Sequence, residues 1–227
     1  MLTVRSVTLG AKEQSWSKPM SSKLNGLIRE LKWADFGPPK AKPAPKPGGF
    51  AVAAFTHAVY DGPSWSIMPV PGTKPMEFEL KDTVTVTIWL KHDSWVADWV
   101  FKQPQRVQDN LLEHEQGHYD ITALIARDLF IELMQLKQGR FKTSAEGEQA
   151  INAIIKRHSS AVIKTINGKY DSADQTNHGW NPTAQQRWNG YIQEAFTKER
   201  NPRVQAPDGT YYKITLLDVL RAAKMYP

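Results

Sequence analysis

The most informative feature of this sequence for its fold is a long segment, from about Val107 to Lys137, in which apolar residues recur with the period of an α-helix. Its apolar residues recur at the spacing that lines one face of an α-helix. They are Val107, Leu111, Leu112, Ile121, Leu124, Ile125, Leu129 and Leu133. No proline interrupts the stretch, and Gly139 is a stop signal just beyond it. A helix of this length with an apolar face requires a core to pack against, so we expect a globular domain built around it.

The same helix carries the segment His-Glu-Gln-Gly-His at residues 114 to 118. Residues four apart lie one above the other on a helix, so His114 and His118 can aim a ring nitrogen at one point. Both belong to the apolar stripe and are expected to face inward. Two imidazoles in this arrangement are typical of a Zn²⁺ site, and the adjacent Glu115 is placed to act as general base for a water. The pattern predicts zinc-assisted hydrolysis; the alternative is a solvated helix with two unrelated histidines.

A catalytic zinc usually takes three protein ligands and leaves its fourth position to water, so the chain must supply one more ligand. Cysteine is absent, which excludes thiolate ligands, a catalytic thiol and disulfides. His178 is favoured because it lies in a polar loop between two predicted helices. Asp174, Asp171 and His158 remain alternatives. A non-catalytic protein that uses zinc to join two helices would instead fill the fourth position with Asp174 or Asp171.

A tyrosine hydroxyl could assist hydrolysis by stabilising the oxyanion that forms on the carbonyl oxygen. Tyr170, at the start of the polar loop, is the first candidate for this catalytic role, and Tyr119 is the second. For both residues the alternative is a ring that only packs in the core.

The remaining pattern predicts an α+β fold, in which an antiparallel sheet packs on the long helix and further helices follow it. Residues 83 to 90 alternate strictly between polar and apolar, which favours an antiparallel sheet with one covered face. By analogy with HExxH peptidases, such a strand runs beside the motif helix and holds substrate. The other predicted elements are a strand over Leu2 to Leu9, a short helix over Leu24 to Leu31, strands within Ala51 to Tyr60, and helices from Thr143 to Asn167-Gly168, from Asn181-Pro182 to about Lys198, and from Thr215 to Lys224.

The net charge of +6 lies entirely in the first 48 residues, which hold nine Lys and Arg against three acidic residues. We expect residues 1–30 to form a basic N-terminal extension and residues 31–227 to form one domain, with a Pro/Gly/Lys-rich loop or linker at 40–49. The extension is either a solvated terminus or an arm that contacts an anionic cell-envelope polymer. Nucleic acid is disfavoured because aromatic residues do not interleave with the basic ones. Neither a membrane span nor a secretory signal is predicted, which leaves localisation open.

Three motifs carry a family resemblance: residues 31–39 (LKWADFGPP), residues 114–121 (HEQGHYDI), and residues 174–179 (DQTNHG) with Gln185 and Trp188. In these motifs the chain resembles a family of bacterial secreted zinc-dependent proteases. The resemblance covers about Leu31 to Trp188 and implies a zincin-like α+β fold and a secreted or periplasmic protein that cleaves peptide or protein substrates. It also implies His114 and His118 as zinc ligands and Glu115 as the base, and it favours His178 as the third ligand. An envelope-acting effector that cleaves peptidoglycan peptides with the same site is an alternative.

Overall fold

The long predicted helix is the central element of the protein. In the computed structural model, which describes residues 22–46, 51–62, 65–81, 83–206 and 209–227, it is α1 (Gln105–Leu136). Every residue from Ile121 to Leu129 is buried, including the mutually paired Arg127 and Asp128. A helix that is covered on all sides lies inside the domain rather than on its surface. The predicted helix over Val107 to Lys137 is therefore confirmed, and the rest of the fold packs around it.

The described strands are short and form three small sheets. They are β1 (Lys23–Asn25), β2 (Ala54–Phe55), β3 (Ala58–Asp61), β4 (Ile67–Val70), β5 (Glu77–Leu80), β6 (Thr85–Leu90) and β7 (Trp95–Val96). The strand predicted from the alternating pattern is β6, and its apolar face is buried. β6 pairs with β3 in the predicted antiparallel sense and with β1 in a parallel sense, while β2 pairs with β7 and β4 with β5.

The prediction of a short helix over Leu24 to Leu31 is wrong. Residues 23–25 are the strand β1, which pairs with residues 85–87 of β6. Gly26 then turns the chain with a φ of +77°, and a Cβ there would lie 2.3 Å from the backbone oxygen of Ile88. Part of the stretch expected to be an N-terminal extension thus belongs to the sheet. The strand predicted over Leu2 to Leu9 and most of the basic arm lie outside the described residues.

Four helices follow α1: α2 (Ser144–Arg157), α3 (Ser160–Asp171), α4 (Pro182–Thr197) and α5 (Leu216–Ala222). The predicted N-caps are present, because the Thr143 and Asn181 side chains accept backbone hydrogen bonds at the starts of α2 and α4. The second predicted helix is in fact two helices, since residues 158 and 159 leave the helical conformation. It also does not stop at Gly168. The extra turn matters because it carries Asp171, which contacts His114 and His118 of α1.

The core lies on both sides of α1. One cluster joins α1 to the sheets through Leu111, Ala126 and Leu129, packed with residues such as Val86 and Ile88. The other joins it to the helices through Ile121, Leu124 and Ile125, packed with Ile166, Trp188 and Leu216. The strands together with α2 lie on one side and α3, α4 and α5 on the other, which gives the mixed α+β architecture that the sequence predicts. Within the described ranges, no helix is long and apolar enough to cross a membrane.

Candidate metal centre

The two motif histidines lie side by side on α1 with their rings turned inward. Their Nε2 atoms are 3.2 Å apart, and the residues are 2% and 9% exposed for His114 and His118. Two nitrogens that bind one tetrahedral zinc at 2.0–2.1 Å are separated by about 3.3 Å. The pair therefore has the spacing of two ligands of one metal ion, as the helical spacing predicts.

Two side-chain amides fix the orientation of these rings. The Nδ1 of His114 lies 3.2 Å from Oε1 of Gln185 on α4, and the Nδ1 of His118 lies 3.0 Å from Oδ1 of Asn167 on α3. An amide oxygen only accepts hydrogen bonds, so each Nδ1 donates and each Nε2 presents its lone pair when the ring is neutral. Sequence reasoning did not identify Asn167, because its partner lies 49 residues away and the helix was predicted to end there.

Asp171 and His178 approach the same point from α3 and from the following loop. The Asp171 Oδ1 lies 3.1 Å from the Nε2 of His114, 3.0 Å from that of His118 and 3.6 Å from the Nδ1 of His178. Ligand atoms of His114, Asp171 and His178 all lie within 4.8 Å of one another. The structure thus brings together the favoured third ligand and one of its alternatives.

The charges in this cluster are coupled. Burial lowers the pKa of His118, but the hydrogen bond and charge of Asp171 outweigh it and raise that pKa to about 9. Burial likewise raises the pKa of Asp171, and the hydrogen bonds and charges of His114 and His118 outweigh it and hold this pKa well below its usual range. Without a metal, the cluster is an ion pair that a bound cation would reorganise by displacing the proton of His118.

The loop that carries His178 has an uncommon backbone. Asn177, His178 and Gly179 have φ values of 50°, 52° and 83°, in the left-handed region that L side chains rarely adopt. A Cβ at Gly179 would lie 3.0 Å from the Cβ of His114, so the loop touches α1 at this position. Such conformations persist where surrounding contacts dictate them, and they cluster at functional sites. The loop therefore holds His178 close to His114 and Asp171.

The other two candidates for the third ligand face elsewhere. Asp174 is exposed and binds Lys169 at 2.8 Å. His158 is buried, and its Nε2 binds Oε1 of Glu132 at 3.1 Å. Glu132 lies 14 residues after His118 on the same helix, which is about 21 Å at 1.5 Å per residue. Neither residue is close to the histidine pair in this structure.

Tyr170 lies behind His114 rather than in front of it. Its ring is 0% exposed and stacks on the His114 imidazole with centroids 4.7 Å apart. Its hydroxyl donates to the backbone oxygen of His114 at 3.1 Å and accepts from Nε2 of Gln185 at 2.6 Å. The structure gives no support to the oxyanion role predicted for Tyr170, since both sides of the hydroxyl are engaged. Tyr119, the second candidate, donates to the backbone oxygen of Gly26 at 2.7 Å.

Tyr170 explains the glycine within the motif. A Cβ at Gly117 would lie 2.1 Å from the Tyr170 hydroxyl oxygen and 2.7 Å from its Cζ. Residue 117 must therefore lack a side chain, because a Cβ there would prevent Tyr170 from packing against α1. The tyrosine in turn supports the ring of His114 from behind, so Gly117 is a requirement of the site's packing.

A cavity of about 280 Å³ opens in front of the histidines. It is lined by His114, Glu115, His118, Asp171, His178, Asn167 and residues 52–56 around β2. The strand expected by analogy to run beside the motif, β6, does not line this cavity; the β2 segment does. Glu115 is 4% exposed, and its Oε2 has no hydrogen-bond partner among the described residues. A buried carboxylate oxygen without a partner costs free energy, so the cavity suits a water or a cation beside Glu115.

No protein-family model, curated protein or solved structure matches this chain. The family resemblance carried by the motifs and the zincin-like fold therefore stay predictions.

Proposed function

We propose that this protein is a zinc-dependent hydrolase of zincin-like design that cleaves amide bonds in peptides. The observation that carries the proposal is Glu115, a buried carboxylate that lines the same cavity as His114 and His118 and whose Oε2 has no hydrogen-bond partner among the described residues. A structural metal site has no use for a buried carboxylate oxygen that lacks a hydrogen-bond partner. A general base needs that oxygen free.

His114, His118 and His178 are the proposed ligands. Two imidazoles already at ligand spacing, with both Nδ1 atoms engaged by amides, support this choice. Nitrogen and carboxylate donors without thiolates suit Zn²⁺, although they also suit other divalent transition metals, so zinc is proposed from the HExxH pattern.

The chain's own residues then have defined tasks. When bound, zinc supplies a Lewis acid that polarises the amide carbonyl and makes water an effective nucleophile near neutral pH. Glu115 accepts a proton from the attacking water at Oε2 as the new carbon–oxygen bond forms. The same carboxyl can return the proton to the amine nitrogen as the carbon–nitrogen bond breaks. Ala53, Ala54 and Thr56, the buried residues in the β2 side of the cavity, keep bulk water from that wall of the site.

One observation favours a second candidate, a non-catalytic protein with a structural zinc. Asp171 Oδ1 lies within 3.1 Å of both motif histidines, so this carboxylate could serve as the fourth ligand and leave no position for water. In that case Asp171→Ala should release zinc as completely as His178→Ala does. In the hydrolase, Asp171→Ala should retain stoichiometric zinc, with weaker affinity.

The test of the proposed function is Glu115→Gln, with Glu113→Gln as the matched control. Glu113 lies on the same helix but is exposed, where it binds Asn189. Cleavage of a mixed peptide library, followed by mass spectrometry, should fall by about 10²- to 10⁴-fold in the first variant and stay unchanged in the second. Elemental analysis should find one zinc in both. Undiminished cleavage by the zinc-loaded Glu115→Gln protein would refute the assignment of the base.

A further inference from the structure

A second cavity of about 810 Å³ continues from the metal centre along α3. The two cavities share Phe55, Thr56, Asn167 and Asp171, so they adjoin, and the larger one is called the groove here. Its helical wall is a single face of α3, because residues 160, 163, 164, 167, 168 and 171 recur at three- and four-residue spacing. From residue 160 to residue 171 the helix rises about 16 Å, the length of about five residues of extended peptide.

Much of the lining of this groove is apolar. Ala58 and Val59 form its strand side, and Ile155 and Ile163 lie opposite. Phe55 stands where the two cavities join and is 45% exposed, which is high for a phenylalanine in a folded domain. Exposed apolar surface in a concave site adjoining a candidate catalytic centre is typical of the pocket that selects a substrate side chain.

The strand wall also offers backbone groups for pairing. β3 is the outer strand of the β1-β6-β3 sheet, and among the described residues no strand pairs with its other edge. Lys91 donates to the backbone oxygen of His57, so in the antiparallel ladder residues 57, 59 and 61 face β6. The backbone groups of Ala58 and Tyr60 consequently face outward along the groove. An extended peptide can pair with such an edge while its side chains enter the apolar part.

We propose that this groove binds an extended peptide with large apolar side chains and thereby selects apolar sequence next to the scissile amide. The inference rests on the proposed hydrolase, since it places the peptide across the same centre. It goes further in naming the substrate class: flexible apolar peptide, not charged or small-residue peptide. The groove's walls, not the metal ligands, provide the selection.

Gly168 makes this inference testable without disturbing the core. It lies on the groove face of α3, is exposed, and a Cβ there meets no atom within 4 Å. Gly168→Phe should therefore fill the groove while the helix is retained. Gly190 on α4 is the matched control, because it is also exposed, helical and surrounded by open space, but does not line the groove.

The experiment measures fluorescence anisotropy of two labelled, capped peptides, Gly-Leu-Phe-Leu-Gly and Gly-Ser-Ser-Ser-Gly, with the full zinc-loaded chain carrying Glu115→Gln. The apolar peptide should bind about tenfold or more tightly than the serine peptide. Adding Gly168→Phe should weaken the apolar peptide about tenfold or more, while Gly190→Phe should leave its affinity unchanged. Zinc content and circular dichroism should be equal in all variants.

Equal affinity for the two peptides, or equal binding by the Gly168→Phe and Gly190→Phe proteins, would overturn the inference. Failure of the proposed function is recognised separately. A chain that takes up no zinc but still shows the apolar preference, and loses it with Gly168→Phe, would retain the groove as a peptide site and refute the hydrolase. A chain that binds zinc and cleaves peptides without apolar preference would support the hydrolase and refute the groove as the source of selectivity.

Discussion

Two clusters that contain buried histidines lie against α1 and differ in what surrounds them. At one end of α1, His114 and His118 converge on Asp171 beside an open cavity and an unpartnered carboxylate. Toward the other end, His158 meets Glu132, which also binds Arg157. In both clusters a histidine and a carboxylate form a buried pair. A histidine–carboxylate pair alone indicates a stabilising interaction. Converging ring nitrogens, an adjoining cavity and a carboxylate oxygen without a partner together indicate a candidate catalytic site.

The largest contrast between the clusters should be in zinc binding. His118→Ala should abolish stoichiometric zinc, because it removes one of the two imidazoles already at ligand spacing. His158→Ala should keep one zinc per chain. Elemental analysis after dialysis against zinc-free buffer measures both, and a His118→Ala protein with full zinc would show that the motif is not the metal site.

The contribution of the loop should be almost as large. His178→Ala should weaken zinc affinity severely, since the remaining pair cannot hold the ion alone, while the helical circular dichroism stays nearly intact. Competition with a chromophoric chelator gives the affinity. Should zinc be lost with His158→Ala and kept with His178→Ala, the roles of the two clusters would be reversed.

A smaller effect is expected from the amides behind the histidines. Asn167→Ala should lower zinc affinity by about 10- to 100-fold, because the Nδ1–H of His118 loses its acceptor and the ring is no longer held in one orientation. Asn167→Asp should restore the affinity, since a carboxylate also accepts from Nδ1–H. A loss of affinity equal in both variants would mean that Asn167 acts only by packing.

The second cluster should contribute stability alone. His158 is 1% exposed, so His158→Ala should lower the free energy of unfolding by on the order of 1 kcal/mol, measured by urea denaturation of the zinc-free protein. Peptide cleavage at saturating zinc should not change. Cleavage that falls in parallel with stability would link this cluster to the site.

The smallest effect concerns pH. Burial raises the pKa of Glu132, but the hydrogen bonds and charges of His158 and Arg157 outweigh it and lower that pKa to about 2 from 4.5. A carboxyl with a depressed folded-state pKa contributes stability above its unfolded pKa and loses it as pH falls toward the folded value. Glu132→Gln should therefore flatten the loss of stability between about pH 4.5 and 2. An unchanged slope would show that the pair is not formed in solution.

Local signals explain what could be predicted. The α1 pattern, the Thr143 and Asn181 caps and the alternation of β6 depend on neighbouring residues, so the sequence indicates them directly. The ends of other elements depend on distant partners. Residues 23–25 become a strand because β6 offers a free edge, which outweighs the helical spacing of three leucines and one isoleucine.

The site shows the same division. Histidines four apart on a helix must share a face, so His114 and His118 follow from spacing alone. Asp171 and Asp174 look equivalent in the sequence, yet one ends α3 against α1 and the other binds Lys169 at the surface. The two aspartates differ because α3 includes Asp171 and ends before Asp174. Gly168 predicts an earlier end of the helix, but an exposed helical position tolerates glycine.

The central claim is that the centre holds zinc with a position open to water beside Glu115. The most direct measurement is a crystal structure of the zinc-loaded protein with anomalous diffraction at the zinc edge. We expect zinc bound by His114, His118 and His178, with a solvent oxygen within hydrogen-bond distance of the Glu115 carboxylate. Zinc enclosed by these three histidines and Asp171, with no solvent ligand, would contradict it.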